Sequence, residues 1–453
     1  MNRSTPRPAR PDPSQSAADT ARALGARRAA ASALRHVVER RVAMDDALQR
    51  ALARGGELDH RDAQLARSIT TIALKHLGGL RKALDARLEK GLAATPPELA
   101  ATLIVGATQI LFMAIPAHAA VDCAVELTRA DRRLSGLAGV ANAVLRRISS
   151  EKDALLEDHD PVADLPDWLA RRWRETYGEA KLQKIAAALA LEPTLDVTPL
   201  SEATDWAERL DGALMPTGSI RLRSLAPVET LSGYQEARWF VQDAAAALPA
   251  KLLSAQAGER VLDLCAAPGG KTAQLAATGA SVIAVDRSSA RLKRLKENLN
   301  RLHLTAQVVT ADAAAWSGES ADAILLDAPC ASTGTIRRHP DVAWTKSEDD
   351  VRSLAALQSR LIDHAIDLLK PGGRLVYSTC SLEPEEGEQQ IESLLRRRSD
   401  VRLDPIAAGE APGLADAIDA HGALRTTPDL WPDPQPRLAG LDGFYAARLR
   451  RAG

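Results

Sequence analysis

From Ala257 onward the chain alternates short apolar runs with helix-forming stretches, and this alternation restricts its fold more than any other feature. The runs are Val261–Cys265, Ser281–Asp286, Gln307–Asp312, Ala323–Pro329 and Arg374–Cys380. The helix-forming stretches are Lys271–Ala277, Ser289–Arg301, Glu348–Leu369 and Glu385–Arg398. Strands apolar throughout are buried on both faces, so helices must cover both sides. The pattern predicts a doubly wound, Rossmann-like α/β sheet. Ligands of such sheets sit outside the carboxyl ends of the strands, and the residues with chemical potential in this chain fall at those ends.

Cys265–Thr272 (CAAPGGKT) follows the first run and opens a helix. Gly269 and Gly270 let a ligand approach the backbone of Cys265, Ala266, Ala267, Pro268 and Lys271, and the helix start offers free amides. The spacing is neither G-x-G-x-x-G nor a P-loop. Asp286 ends the second strand, where a carboxylate can accept both ribose hydroxyls of an adenosine. Asp312 follows the third, placed for an adenine amino group, and Asp327 ends the fourth. Three carboxylates repel a diphosphate but suit a nucleoside bearing a cationic sulfonium.

The four cysteines, Cys123, Cys265, Cys330 and Cys380, include no C-x-x-C pair. Neither a metal site nor a disulfide framework is expected, and free thiols fit a reducing cytoplasm. Cys123 reads as a small buried hydrophobe of a helix. Cys330 and Cys380 end the fourth and fifth strands, which brings both to the cofactor cleft. A thiol there suits one particular reaction. C5 of cytosine is a poor nucleophile until a thiolate adds to C6, and a second group must then assist proton removal and release.

Four motifs, CAAPGGKT, AVD, LLDAPCASTGTIRRHPD and YSTCSLEPEEGE, resemble the ordered motifs of the RNA cytosine-C5 methyltransferase family, the Sun or Fmu group. The resemblance implies S-adenosylmethionine as cofactor, contacted by Cys265–Lys271, Asp286, Asp312 and Asp327. It makes Cys380 the nucleophile and Cys330 the releasing group, and sets Lys271 against the target base. On chemical grounds, a carboxyl at Asp327 that bonds the cytosine N3/N4 edge would stabilise charge as the thiol adds. Cys380 precedes a helix start crowded by Glu383, Glu385, Glu386 and Glu388. Lys271, rather than that helix, is therefore expected to hold the thiolate. Gly233–Leu253 and Gly443–Leu449 extend the similarity.

The N-terminal part is organised differently. Residues 21–150 read as five or six helices, with a break at Gly55-Gly56, and carry 20 Lys/Arg against 12 Asp/Glu. That surplus suits a polyanion. Pro116–Glu126 and Ala141–Arg147 resemble a NusB-type RNA-binding domain. Leu99–Val121 lacks Lys and Arg but is too interrupted to span a membrane. Residues 1–20 read as a disordered tail, 151–166 as a linker, 167–253 as a small α+β connector and 254–453 as the methyltransferase domain. The connector departs from the family at Leu195–Pro199, where an Arg-Val-Asn run is usual. With Arg337–Asp341 (RRHPD), the combination implies a 16S ribosomal RNA partner, methylated at cytosine 967. The same chemistry on transfer RNA or another ribosomal site, and an inactive RNA-binding assembly factor, remain as alternatives.

Overall fold

The computed structural model describes residues 13–54, 58–224 and 226–453. It forms two compact units, Met1–Arg171 with Ala343–Thr345, and Arg172–Val342 with Lys346–Gly453.

The first unit is helical: α1 (Pro13–Arg40), α2 (Met44–Arg54), α3 (His60–Lys75), α4 (Leu77–Asp85), α5 (Pro97–Phe112), α6 (Ala117–Ala130), α7 (Ala138–Ser150) and the short α8 (Lys152–Glu157). Its centre is α5, whose sequence after Glu98 carries no charge and whose residues from Leu103 to Leu111 are all buried. A helix apolar all round must be enclosed, and α1, α3, α6 and α7 enclose it. Among the described residues no helix is long and apolar enough to cross a membrane.

Two expectations change here, and a third lies outside the described residues. Helix α1 starts at Pro13, inside the stretch expected to be a disordered tail; proline suits a first helical turn and the following Ala-rich run propagates it. The Gly55-Gly56 break lies outside the described residues. Residues 151–166 are not a plain linker, because Asp164 is buried in the helical unit. Its Oδ2 accepts from His76 Nδ1 at 2.7 Å and His159 Nε2 at 2.9 Å, and its Oδ1 from the Gly79 amide at 3.3 Å. The His76 ring stacks on Phe112 with centroids 3.8 Å apart.

In the second unit, the division falling within α9 (Asp167–Tyr177), α10 (Glu179–Ala190) leads to a four-stranded antiparallel sheet. Its strands β1 (Asp196–Pro199), β2 (Gly212–Leu214), β3 (Ile220–Leu222) and β4 (Trp239–Val241) lie in the order β2-β3-β1-β4. Helix α11 (Ala203–Arg209) adds Trp206 to a core of Val197, Ile220, Leu222 and Trp239. The divergent Leu195–Pro199 run thus supplies the strand that pairs with both β3 and β4. Asp196 on it forms a two-point, fully buried ion pair with Arg221, at 2.8 and 2.9 Å.

The large sheet follows: β5 (Arg260–Leu264), β6 (Ser281–Asp286), β7 (Gln307–Thr310), β8 (Ala321–Asp327), β9 (Leu369–Thr379), β10 (Val401–Leu403), β11 (Leu424–Arg425) and β12 (Tyr445–Arg451). The order is β10-β12-β9-β8-β5-β6-β7, with β11 pairing β12. Strands β5 to β9 are mutually parallel, as expected. However, β12 runs antiparallel to β9 and β10 antiparallel to β12, so the sheet is mixed. Alternate residues of β8 serve opposite faces. Ile324 and Leu326 join a core with α16 (Glu348–Asp367) and α17 (Glu388–Arg397), whereas Ala323 and Leu325 join one with α12 (Leu248–Leu253) and α13 (Gly270–Ala277). The order reverses between β5 and β8, and the crevice of a doubly wound sheet opens at that point.

The Asp164 cluster yields a testable consequence. Burial pushes the Asp164 carboxyl up, but hydrogen bonds from His159 and His76 hold it below the usual carboxylate range. The hydrogen bond to Asp164 pushes the His159 imidazole up. The carboxylate's contribution is present above its ordinary pKa and fades as pH falls; the imidazole's is present below its ordinary pKa and fades as pH rises. Asp164→Ala should cost about 2–4 kcal/mol. The difference in melting temperature from the unaltered chain should be largest between pH 3.8 and 6.5.

Candidate active site

The loop leaving β5 is shaped by backbone geometry that few side chains tolerate. Cys265 sits at φ +63° and Gly269 at φ +103°, where a Cβ would stand 2.6 Å from Leu295 Cγ on α14 (Ser289–Arg301). Asp286, at the end of β6, holds the loop: its Oδ2 accepts from the Ala267 amide at 3.1 Å, its Oδ1 from the Ser288 amide at 2.8 Å. Arg291 donates to the Ala267 carbonyl. Beneath the loop, Thr272 donates to Asp263 at 2.5 Å. Sequence reasoning passed over Asp263, although an acid inside VLDLC was the signal for it. Burial pushes its carboxyl up to about 7.

Parallel pairing of β8 with β9 sets Asp327 opposite Ser378, and the Ser378 hydroxyl donates to Asp327 at 3.2 Å. Just beyond the paired ends, Cys330 Sγ and Cys380 Sγ approach to 3.4 Å. Two tight contacts set the chain beyond them. The Gly334 amide donates to the Cys380 carbonyl at 3.0 Å, and a Cβ on Gly334 would meet the Gly443 carbonyl oxygen at 1.9 Å. Buried Glu386 ties the two cysteine loops, accepting from the Ala331 amide, the Ser381 hydroxyl and Gln358 Nε2.

The four glutamates after Cys380 do not face its thiol. Glu383 accepts from Trp173 Nε1 at 2.8 Å and Arg172 Nε at 2.7 Å, Glu385 also accepts from Arg172, and Glu388 accepts from Arg425. The charge opposition expected from the sequence is therefore spent elsewhere. Lys271 is also committed, donating to Asp327 at 2.8 Å and lying 5.2 Å from the Phe444 ring centre. What holds the Cys380 thiol below its ordinary range is first the hydrogen bond from Cys330, opposed by burial and by Asp327 and assisted by Ser332, with Lys271 a lesser influence. The same hydrogen bond, together with burial, pushes Cys330 well up. Cys265, pushed up to about 12 by burial and the nearby carboxylates, stays a thiol.

These groups border a cleft of about 740 Å³. Ala266–Lys271, Asp327, Ser332, Cys380 and Phe444 line it, while Cys330 touches it through Cys380. Asp286 stands behind the loop, almost wholly buried. Asp312 is exposed past the end of β7, its Oδ1 accepting from the Ala314 amide, and does not join the cleft wall. The arginines on the wall already have partners. Arg291 serves the Ala267 carbonyl, Arg301 the Tyr234 and Trp239 carbonyls, and Arg338 serves Asp243 and Asp442. Committed cations and a bare Ala-Ala-Pro-Gly-Gly turn leave room for an uncharged nucleoside moiety, with Asp327 at hand for a positive centre.

The fold and this cleft place the chain among the S-adenosylmethionine-dependent methyltransferases. Residues 24–150 match the NusB family, and residues 250–450 match the family described as 16S rRNA methyltransferase RsmB/F. The ribosomal RNA small subunit methyltransferase B of Vibrio cholerae serotype O1 is 38% identical over 421 residues, covering 85% of this chain and 93% of that protein. The protein of the same name from Shewanella oneidensis is 35% identical over 448 residues, covering 95% and 100%. The crystal structure of PH0851 superposes with a TM-score of 0.73 at 24% identity, covering 94% of this chain and 99% of that one, which speaks to the fold. A methyltransferase homolog from Pyrococcus horikoshii gives 0.52 at 26% identity, covering 62% and 94%. The chain belongs to the ribosomal RNA small subunit methyltransferase B family.

Two measurements follow from the electrostatics. Alkylation of Cys380 by iodoacetamide, followed against pH in the full chain, should shift its midpoint upward in Cys330→Ala and less in Lys271→Met. A larger shift in Lys271→Met would return the leading role to the lysine. Separately, a carboxyl near 7 when folded and 3.8 when unfolded makes stability fall as pH rises between those values. Asp263→Asn should remove that slope, as melting curves from pH 4 to 8 would show.

Proposed function

We propose that this chain methylates C5 of a cytosine in RNA through a covalent adduct between Cys380 and C6, and that the target is cytosine 967 of 16S ribosomal RNA. The observation that carries the reading is the pair of cleft thiols 3.4 Å apart, one inclined to ionise and the other to keep its proton. The family's name and the NusB-type unit with its positive surplus support a ribosomal RNA partner.

S-adenosylmethionine, held against Ala266–Gly270 and Asp327, supplies the methyl group as an electrophilic sulfonium. The chain's own residues prepare the acceptor. The Cys380 thiolate adds to C6, forming the S–C6 bond and moving electron density to C5, where that pair would form the bond to the methyl group. Asp327 accepts from the N4 amino group of the base, and the adjacent Lys271 offsets the charge that builds on the ring. Once Cys380 is a thioether it no longer holds the proton on Cys330, and that thiol can ionise to water in the cleft. The Cys330 thiolate then takes the C5 proton. The C5–H electrons re-form the C5–C6 double bond, the C6–S bond breaks, and its electron pair returns to Cys380.

The two cysteines should therefore fail differently. Cys380→Ala should bind RNA but neither methylate nor cross-link to it. Cys330→Ala should accumulate as a protein–RNA complex on a denaturing gel, and Cys330→Ala/Cys380→Ala should not. Adduct in Cys380→Ala and none in Cys330→Ala would reverse the roles. Bisulfite sequencing of RNA from cells with and without the gene tests the target, and a signal lost from transfer RNA instead would move it.

A further inference from the structure

Ser332 has a backbone that its residue type resists and a hydroxyl that two sulfurs share. Its φ is +61°, in the left-handed region that glycine occupies without cost and other residues seldom adopt. Its Oγ accepts from Cys380 Sγ at 3.6 Å, lies 3.9 Å from Cys330 Sγ, and donates its proton to the Cys330 carbonyl at 3.4 Å. The residue is partly exposed on the cleft wall. Strain of this kind persists only where the surroundings enforce it, and it gathers at functional positions. Here it aims a hydroxyl between the two thiols.

We propose that Ser332 is a third working member of the site, a hydroxyl donor that follows the negative charge from Cys380 to Cys330. This rests on the two-cysteine reading above. A hydroxyl has a single proton to donate, so it can serve one thiolate at a time, and the reaction presents them in turn. When Cys380 ionises in the free enzyme it can no longer donate to Ser332, and the hydroxyl turns its proton from the Cys330 carbonyl to that sulfur, alongside the Cys330 thiol. After the S–C6 bond forms, Cys380 is neutral, and the next charge develops on Cys330. Rotation about the Ser332 Cβ–Oγ bond redirects the same proton to the second sulfur, 0.3 Å farther off in the resting geometry. No proton leaves Ser332; it lowers the cost of each thiolate while that thiolate exists.

Ser332→Gly and Ser332→Ala, each in the full chain, test this. Glycine relieves the backbone strain, so Ser332→Gly should melt at or above the temperature of the unaltered protein, which separates a lost hydroxyl from a misfolded loop. Iodoacetamide alkylation of Cys380, located by peptide mass spectrometry in the absence of RNA, should shift its midpoint upward by about one pH unit in both variants. That corresponds to about tenfold less thiolate at neutral pH. With a 16S ribosomal RNA transcript and S-adenosylmethionine, the covalent complex should persist about tenfold longer than in the unaltered enzyme. An unchanged midpoint and an unchanged adduct lifetime would overturn the proposal. So would a midpoint shift in Ser332→Ala that is absent from Ser332→Gly, since strain alone would then explain it. Cys380→Ala run beside them judges the underlying reading separately: adduct in that variant would displace Cys380 as nucleophile, whereas the alkylation result decides the hydroxyl's effect without RNA.

Discussion

The parallel pairing of β8 with β9 is the constraint on which the site depends. It sets Asp327 beside Ser378, and from that register the two short extensions bring Cys330 and Cys380 into contact. A slip of one residue would turn one thiol to the opposite face of the sheet. Much of the surrounding polar structure serves to keep this register and its extensions in place. Glu386 spans the two loops, Tyr377 and Thr379 donate to the Glu386 carbonyl, and the backbones of Gly334 and Gly443 meet without room for a Cβ.

Charge at the site is managed by distance and by partners. Four glutamates follow Cys380 within eight residues, yet Arg172, Arg425, Trp173 and the Glu386 cluster take them up. Lys271 and Asp327 compensate each other, which leaves the pair of thiols to set its own proton balance. A thiol beside a thiolate is a good donor, and two sulfurs with one proton between them titrate as a unit. This makes the less ionised cysteine part of the reason the other is nucleophilic.

The connector and the large sheet are joined by a buried charge network. Arg338, from the RRHPD run, reaches Asp243 and Asp442 while approaching Asp196 of β1 at 3.8 Å, and Arg221 completes the set. Buried charges are costly unless paired on all sides, and this network meets that demand with residues from five separate stretches of chain. The departure at Leu195–Pro199 thus has a structural role, since Asp196 lies within it. That role was not legible in sequence because its partners are 25 or more residues away.

The sequence alone determined the layered α/β domain, the strand ends, the glycine turn, and the two cysteines and Asp327 at one cleft, because apolar periodicity and turn chemistry are local properties. It also marked a helical, positively charged N-terminal part. What it left undecided depended on partners distant in the chain. The antiparallel insertion of β12 makes the sheet mixed. Asp164 converts the supposed linker into part of a core, and Asp286 proves to be a brace for the loop. Asp312 stays out at the surface although its position matched the motif. The glutamates after Cys380 turn away from the thiol, and Ser332 turns toward it. Only the tertiary structure could decide these, because electrostatic influence depends on direction and burial, and a one-dimensional sequence records neither.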